Sequence, residues 1–150
     1  MADAIVVVAV VLTGLSAGLF ATFSYVVMPG LRRVDDGAFV ASMRAINVAI
    51  LNPVFAVVFG GAAVALAAAL MMSWDADARP WLIAALVLYV VGAFVVTGAV
   101  NIPLNDALEA GSGEPSRLRE AFERRWVAWN HVRSVLTAAA LVCAAVGAIA

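Results

Sequence analysis

The sequence of 150 residues contains no lysine, one histidine and one cysteine, and only 13% of its residues are charged. Each scarcity removes a class of function. Soluble domains carry about 25% charged residues, whereas this chain is 65% hydrophobic with a mean hydropathy of +1.05, a balance that suits a bilayer and not water. Nine arginines against ten acidic residues leave a formal net charge of -1, so there is no basic surface for nucleic acid. The lone Cys143 excludes an intramolecular disulfide and a multi-thiolate metal site, and it leaves the redox compartment open. No metal-ligand set, flavin fingerprint or dinucleotide-binding loop occurs, so no cofactor or metal is expected.

What is present is long apolar runs. Crossing a hydrocarbon core takes about 20 residues, and four such spans fit, at about 4–27, 53–73, 81–100 and 130–150, leaving room for a single domain over 1–150. The first run has no arginine ahead of it and is too long for a signal-peptide core, so it is expected to be a retained helix. Met28-Pro29-Gly30 ends that span, and residues 31–50, with Arg32, Arg33, Asp35, Asp36 and Arg44 among apolar positions, predict a short interfacial helix. Asn52-Pro53 opens the second span as cap and first turn. Residues 74–81 predict a tight polar turn between Trp74 and Trp81, at the level where tryptophans favour a membrane interface. Pro103 is expected to end the third span near Val100, and Pro115 to start a last helix too long for the bilayer alone. The expected fold is all-α: an integral membrane four-helix bundle with a short interfacial helix after the first span and a long fourth helix extending into the cytoplasm. Arg32, Arg33, Arg44, Arg117, Arg119, Arg124 and Arg125 lie in the connections after the first and third spans, against Arg79 alone in the other. The excess places those connections in the cytoplasm and both termini outside a multi-pass cell-membrane protein.

Polar groups in membrane helices face the bundle interior, and ionisable ones mark candidate sites. At about 100° per residue from Trp126, Trp129 lies about 60° to one side, Asn130 about 40°, and Arg133 and Thr137 about 20°, whereas His131 is about 140° away. Five of the six therefore share a face and the histidine points elsewhere. Asn101 and Asn105 flank Pro103, and Arg44 and Asn47 lie near Asn52 at the mouth of the second span. All of these belong to one end of the bundle and are expected to converge on one polar pocket there.

The motifs Asn-x-Pro-Leu-Asn at 101–105 and Trp-x-x-Trp-Asn-x-x-Arg at 126–133, with Met-Pro-x-Leu at 28–31 and Asn-Pro-x-Phe at 52–55, stand in an order that resembles the anthrone oxygenase-like group of small four-helix membrane proteins. That resemblance covers nearly the whole chain. It implies oxidation of flat, phenolic, anthrone-type polyketide substrates with molecular oxygen, through an enolate of the substrate itself. Asn101, Asn105, Asn130 and Arg133 are then expected to hold the oxyanion, with Trp126 and Trp129 stacking on the rings and Asn47, Asn52 and Arg44 lining the substrate. The general base is open between Asp106 and His131.

Plainer roles stand beside these. Asn52 is also explained as a helix cap, Asn101 and Asn105 as caps at a broken helix end, and the two tryptophans as interface anchors. Asp106, Glu109, Glu120 and Glu123 read as solvated charges, and Gly14 with Gly18 as close helix packing. Two other function classes remain: a non-enzymatic protein binding a lipid, quinone or partner subunit, and a haem or copper redox protein ligated by His131. The expected partners are a small apolar aromatic substrate, oxygen and the lipid bilayer, with homo-oligomer formation left open.

Overall fold

The computed structural model describes the backbone of residues 2–73 and 77–150, with side chains described from residue 4 onward. Trp74 and Asp75 of the expected interfacial turn lie outside the described residues. Among the described residues, five helices account for the fold: α1 (Ala4–Leu31), α2 (Asp36–Ala49), α3 (Pro53–Met72), α4 (Arg79–Ala110) and α5 (Pro115–Gly147). All but α2 are long and apolar enough to cross a membrane, as a multi-pass membrane protein requires. The caps follow the sequence. Asp35 accepts the Ala38 N–H at 2.9 Å to start α2, and Asn52 accepts the Phe55 N–H at 2.9 Å ahead of Pro53 to start α3.

The long helices form a closed ring in chain order, with α1 against α3 and α5, and α4 against α3 and α5. Successive spans are antiparallel: Gly92 meets Leu136 and Gly147 meets Leu82, while Ser16 meets Val58 and Gly61 meets Leu12. Lipid tails are as apolar as leucine, so membrane helices gain little from burying large apolar chains and pack instead through small residues that let backbones approach. Ala62, Ala65, Ala69, Ala85, Ala93, Ala140 and Ala144 accordingly fill one core, crossed by Tyr89, whose hydroxyl is 2.8 Å from Ser16 Oγ and donates to the Phe59 carbonyl at 2.9 Å. A close approach between α4 and α5 falls at Gly92, where an added Cβ would lie 2.7 Å from Leu136 Cβ; at Gly18 it would meet nothing within 4 Å. Gly92→Val is therefore expected to destabilise the bundle by about 1–3 kcal/mol through overpacking, with Gly18→Ala close to neutral. Melting temperatures in detergent measure both.

At the other end a second core forms where α2 lies against α5 and the end of α4, with Met28, Phe39, Met43, Leu108, Phe122 and Trp126 buried. Arg44 pins α2 there, donating to the Leu108 carbonyl from Nε (3.1 Å) and Nη2 (2.7 Å) and to the Gly111 carbonyl at 2.6 Å. These are carbonyls that a helix C-terminus leaves without intrahelical partners. Arg119 links Glu123 at 2.7 Å and Asp36 at 3.0 Å, and Arg32 reaches Glu123 at 3.0 Å, joining α1, α2 and α5.

Two helices run further than their prolines suggest. α1 continues through Pro29 to Leu31, and α4 through Pro103 to Ala110, where the sequence reading ended the third span near Val100. The cause is a set of π-helical turns at Phe23–Val27, Val90–Val95 and Thr97–Asn101, in which the Met28, Val96 and Ile102 N–H groups bond five residues back to Phe23, Val91 and Thr97. Pro29 and Pro103 stand in the first turn of the α-helical stretch that follows, a position proline tolerates.

Candidate active site

The π turn in α4 aligns a stripe. In an α-helix each four-residue step overshoots a full turn by about 40°, so Thr97, Asn101 and Asn105 would spiral away from one another. A π turn holds more residues per turn and undershoots. The step from Thr97 to Asn101 is π-helical and the next is α-helical, and the two deviations oppose each other, so all three side chains line the same cavity. On α5 the ordinary helical period puts Trp126, Asn130, Arg133 and Thr137 on the buried face.

Arg133 is the centre of this face, 7% exposed. Its Nη2 donates to Asn130 Oδ1 at 2.7 Å and its Nη1 to Thr97 Oγ1 at 3.1 Å. The guanidinium carbon lies 4.4 Å from the Phe20 ring centroid and 5.5 Å from that of Trp126, within cation–π range. It forms no ion pair among the described residues, with Asp106 or any other carboxylate, and its Nε has no hydrogen-bond partner. Asn130 is fully committed: its amide group donates to the Phe20 carbonyl at 3.0 Å and to Ser24 Oγ at 2.8 Å, and its oxygen takes Arg133. It holds the guanidinium from behind.

Arg133, Thr97, Phe20 and Trp126 face a cavity of about 410 Å³ between α1, α2, α3, α4 and α5. Its walls are mainly apolar and aromatic, with Phe20, Phe23, Phe55, Phe59 and Trp126, as ligand pockets usually are. Polar atoms without partners collect on it. Asn101 is 1% exposed, and neither its Nδ2 nor its Oδ1 makes a hydrogen bond; Asn47 Nδ2 and Arg133 Nε are in the same state. A buried polar atom left unsatisfied costs about 1–3 kcal/mol, so the three donors and one acceptor carried by these lining residues make the cavity a candidate site for a ligand with polar groups. The exposed lining residues Val48, Leu51, Ile102, Asp106 and Glu109 mark the mouth, apolar on one side and acidic on the other.

Of the residues singled out in the sequence, Asn47, Asn101, Asn105, Trp126 and Arg133 line the cavity. Asn105 Oδ1 accepts the Trp126 Nε1–H at 2.9 Å and fixes the indole. Asn130 stands behind Arg133, and three residues fall elsewhere. Asn52 caps α3 and donates to the Ala49 carbonyl at 2.8 Å. Arg44 is engaged with the α4 carbonyls. Trp129, at the edge of the predicted face, is 38% exposed and outside the cavity lining.

His131 faces outward into a surface groove with Arg32, Arg119, Glu123 and Arg124, away from the cavity. Among the described residues, no three His, Cys, Asp or Glu side chains come together as a metal site would need. Sequence reasoning did not single out Thr97, Ser24 or the mouth position of Glu109. For Thr97 the signal was present, since it stands four residues before Asn101 as Asn101 stands before Asn105.

Neither the comparison with curated proteins nor that with solved structures gave a match. A family model described as Anthrone oxygenase matches residues 43–143, a stretch that carries the second half of α2, the asparagine stripe of α4, and Arg133 with Asn130 on α5. With more than half of its length matched, the chain belongs to the anthrone oxygenase family.

Proposed function

We propose that the chain is a membrane-embedded oxygenase of flat, phenolic, anthrone-type substrates. The observation that carries this reading is the pairing of a buried guanidinium that has no counter-ion among the described residues with the unpartnered amide of Asn101 on an aromatic-walled cavity. A ketone oxygen that becomes an oxyanion would satisfy both. In an anthrone the carbonyl and the reactive methylene lie on opposite sides of the central ring, so an inward carbonyl turns the methylene toward the mouth, where Asp106 stands. Asp106 takes the methylene proton, and Arg133 and Asn101 hold the resulting enolate oxygen. The enolate passes one electron to oxygen, and the carbon radical and superoxide combine to form the C–O bond. The hydroperoxide, once protonated, eliminates water to leave the second carbonyl. One oxygen atom enters the product and the other leaves as water.

Oxygen uptake by purified protein with an anthrone substrate, above the rate of autoxidation, tests the reading. His131→Ala is expected to retain most of that activity because the imidazole faces away from the cavity. Wild-type protein that binds the rings but never consumes oxygen would favour a quinone- or lipid-binding protein instead. The arginine-rich connections are proposed to face the cytoplasm, with both termini outside. A reporter active only in the cytoplasm, fused after Ala150, is expected to stay silent; strong signal would reverse the orientation.

A further inference from the structure

The cavity is electrically polarised along its length. Its buried end holds Arg133, which has no carboxylate partner among the described residues, and the unpartnered amide of Asn101. Its open end holds Asp106 and Glu109, three residues apart and thus neighbours on one face of α4. Both side chains are exposed, and neither forms an ion pair among the described residues. Arg44, on the helix facing this end of α4, has its guanidinium engaged by the Leu108 and Gly111 carbonyls. A ligand seated with an oxygen against Arg133 therefore brings its far side up to two carboxylates that form no ion pair among the described residues, the Arg44 guanidinium being directed at backbone carbonyls.

We propose that Asp106 and Glu109 make the mouth a charge filter: the site accepts flat rings whose outward side is neutral and hydroxylated, and rejects the same rings carrying a carboxylate there. The proposal rests on the ring-binding reading above and adds to it a determinant of substrate choice. An outward hydroxyl donates a hydrogen bond to either carboxylate, whereas an outward carboxylate has no proton to donate and is repelled by both. Like charges at contact distance near a protein surface are expected to weaken binding about tenfold or more, and the effect should fall with salt because the mouth is exposed.

The test uses two probes on the intact protein in phosphatidylcholine nanodiscs: a dihydroxyanthraquinone bearing a hydroxymethyl group on the side away from its hydroxylated carbonyl, and the same ring system bearing a carboxylate at that position. Binding is measured for wild type and for the Asp106→Asn, Glu109→Gln double variant, so that differences in membrane partition cancel between proteins. Wild type is expected to prefer the hydroxymethyl probe at least about tenfold, and the double variant to narrow the ratio to about threefold or less by gaining affinity for the carboxylate. Added salt should narrow the wild-type ratio in the same direction, and this decides the matter even for a variant that fails to fold.

A ratio that responds to neither change, or a carboxylate probe that binds wild type as tightly as its neutral partner, overturns the filter and leaves the oxygenase reading standing. Failure of wild type to bind either probe overturns both.

Discussion

Arg133→Met is expected to lower oxygen-dependent turnover by about a hundredfold or more, the typical cost of losing one preorganised oxyanion donor. The site offers no replacement. The charge sits in an aromatic-walled cavity where screening by water is weak, and among the described residues no other cationic side chain lines it. Arg133→Lys is expected to recover little, because an ammonium cannot bond Thr97 and Asn130 and still present a donor where the guanidinium Nε lies. Asn130→Ala should move turnover in the same direction by releasing the guanidinium, without touching substrate. Oxygen uptake in detergent, with melting temperatures measured alongside, separates loss of chemistry from loss of fold. A folded Arg133→Met protein with wild-type turnover would remove the oxyanion role.

The second large effect has opposite signs for stability and activity. Asn101→Leu replaces two buried, unbonded polar atoms with an apolar side chain of similar size. Relief of a cost of about 1–3 kcal/mol is expected to hold or raise the melting temperature, while turnover falls by about tenfold to a hundredfold. Asn105→Leu makes the contrast on the same helix. It breaks the bond to Trp126 Nε1 and should lower stability by about 0.5–1.5 kcal/mol. If Asn101→Leu destabilised the protein as Asn105→Leu does, Asn101 would be a structural residue and the cavity would lose its central polar group.

The spans were legible because a bilayer demands uninterrupted apolar length, and the α5 face because a helix repeats every 3.6 residues. Trp126, Asn130, Arg133 and Thr137 all fall on the buried side as that period requires. Trp129 shows the limit of the method: a position about 60° from the centre of a face can lie inside or outside, and the neighbouring helices decide. Arg44 and Asn52 are adjacent in sequence to the cavity but meet backbone carbonyls first, and which carbonyls a fold leaves unpaired is not written in one helix. Pro103 misled for a different reason. A proline ends a helix whose hydrogen bonds stay in α register, but the bonds ahead of it have moved to the wider spacing, and no hydropathy pattern reports that change.

The widened turn at Thr97–Asn101 also makes the end of α4 sensitive to the register of its backbone hydrogen bonds. Closing the same five residues into ordinary α register would swing everything beyond by about 100° relative to the stretch anchored at Gly92. Asn105 and Asp106 would turn off the cavity, Trp126 would lose its acceptor, and the carbonyls that hold Arg44 would leave its reach. A side-chain substitution here alters one contact, whereas loss of the wide turn would dismantle the asparagine stripe, the acidic rim and the clamp on α2 together. In this stretch the backbone's own bonding pattern is a functional property of the sequence.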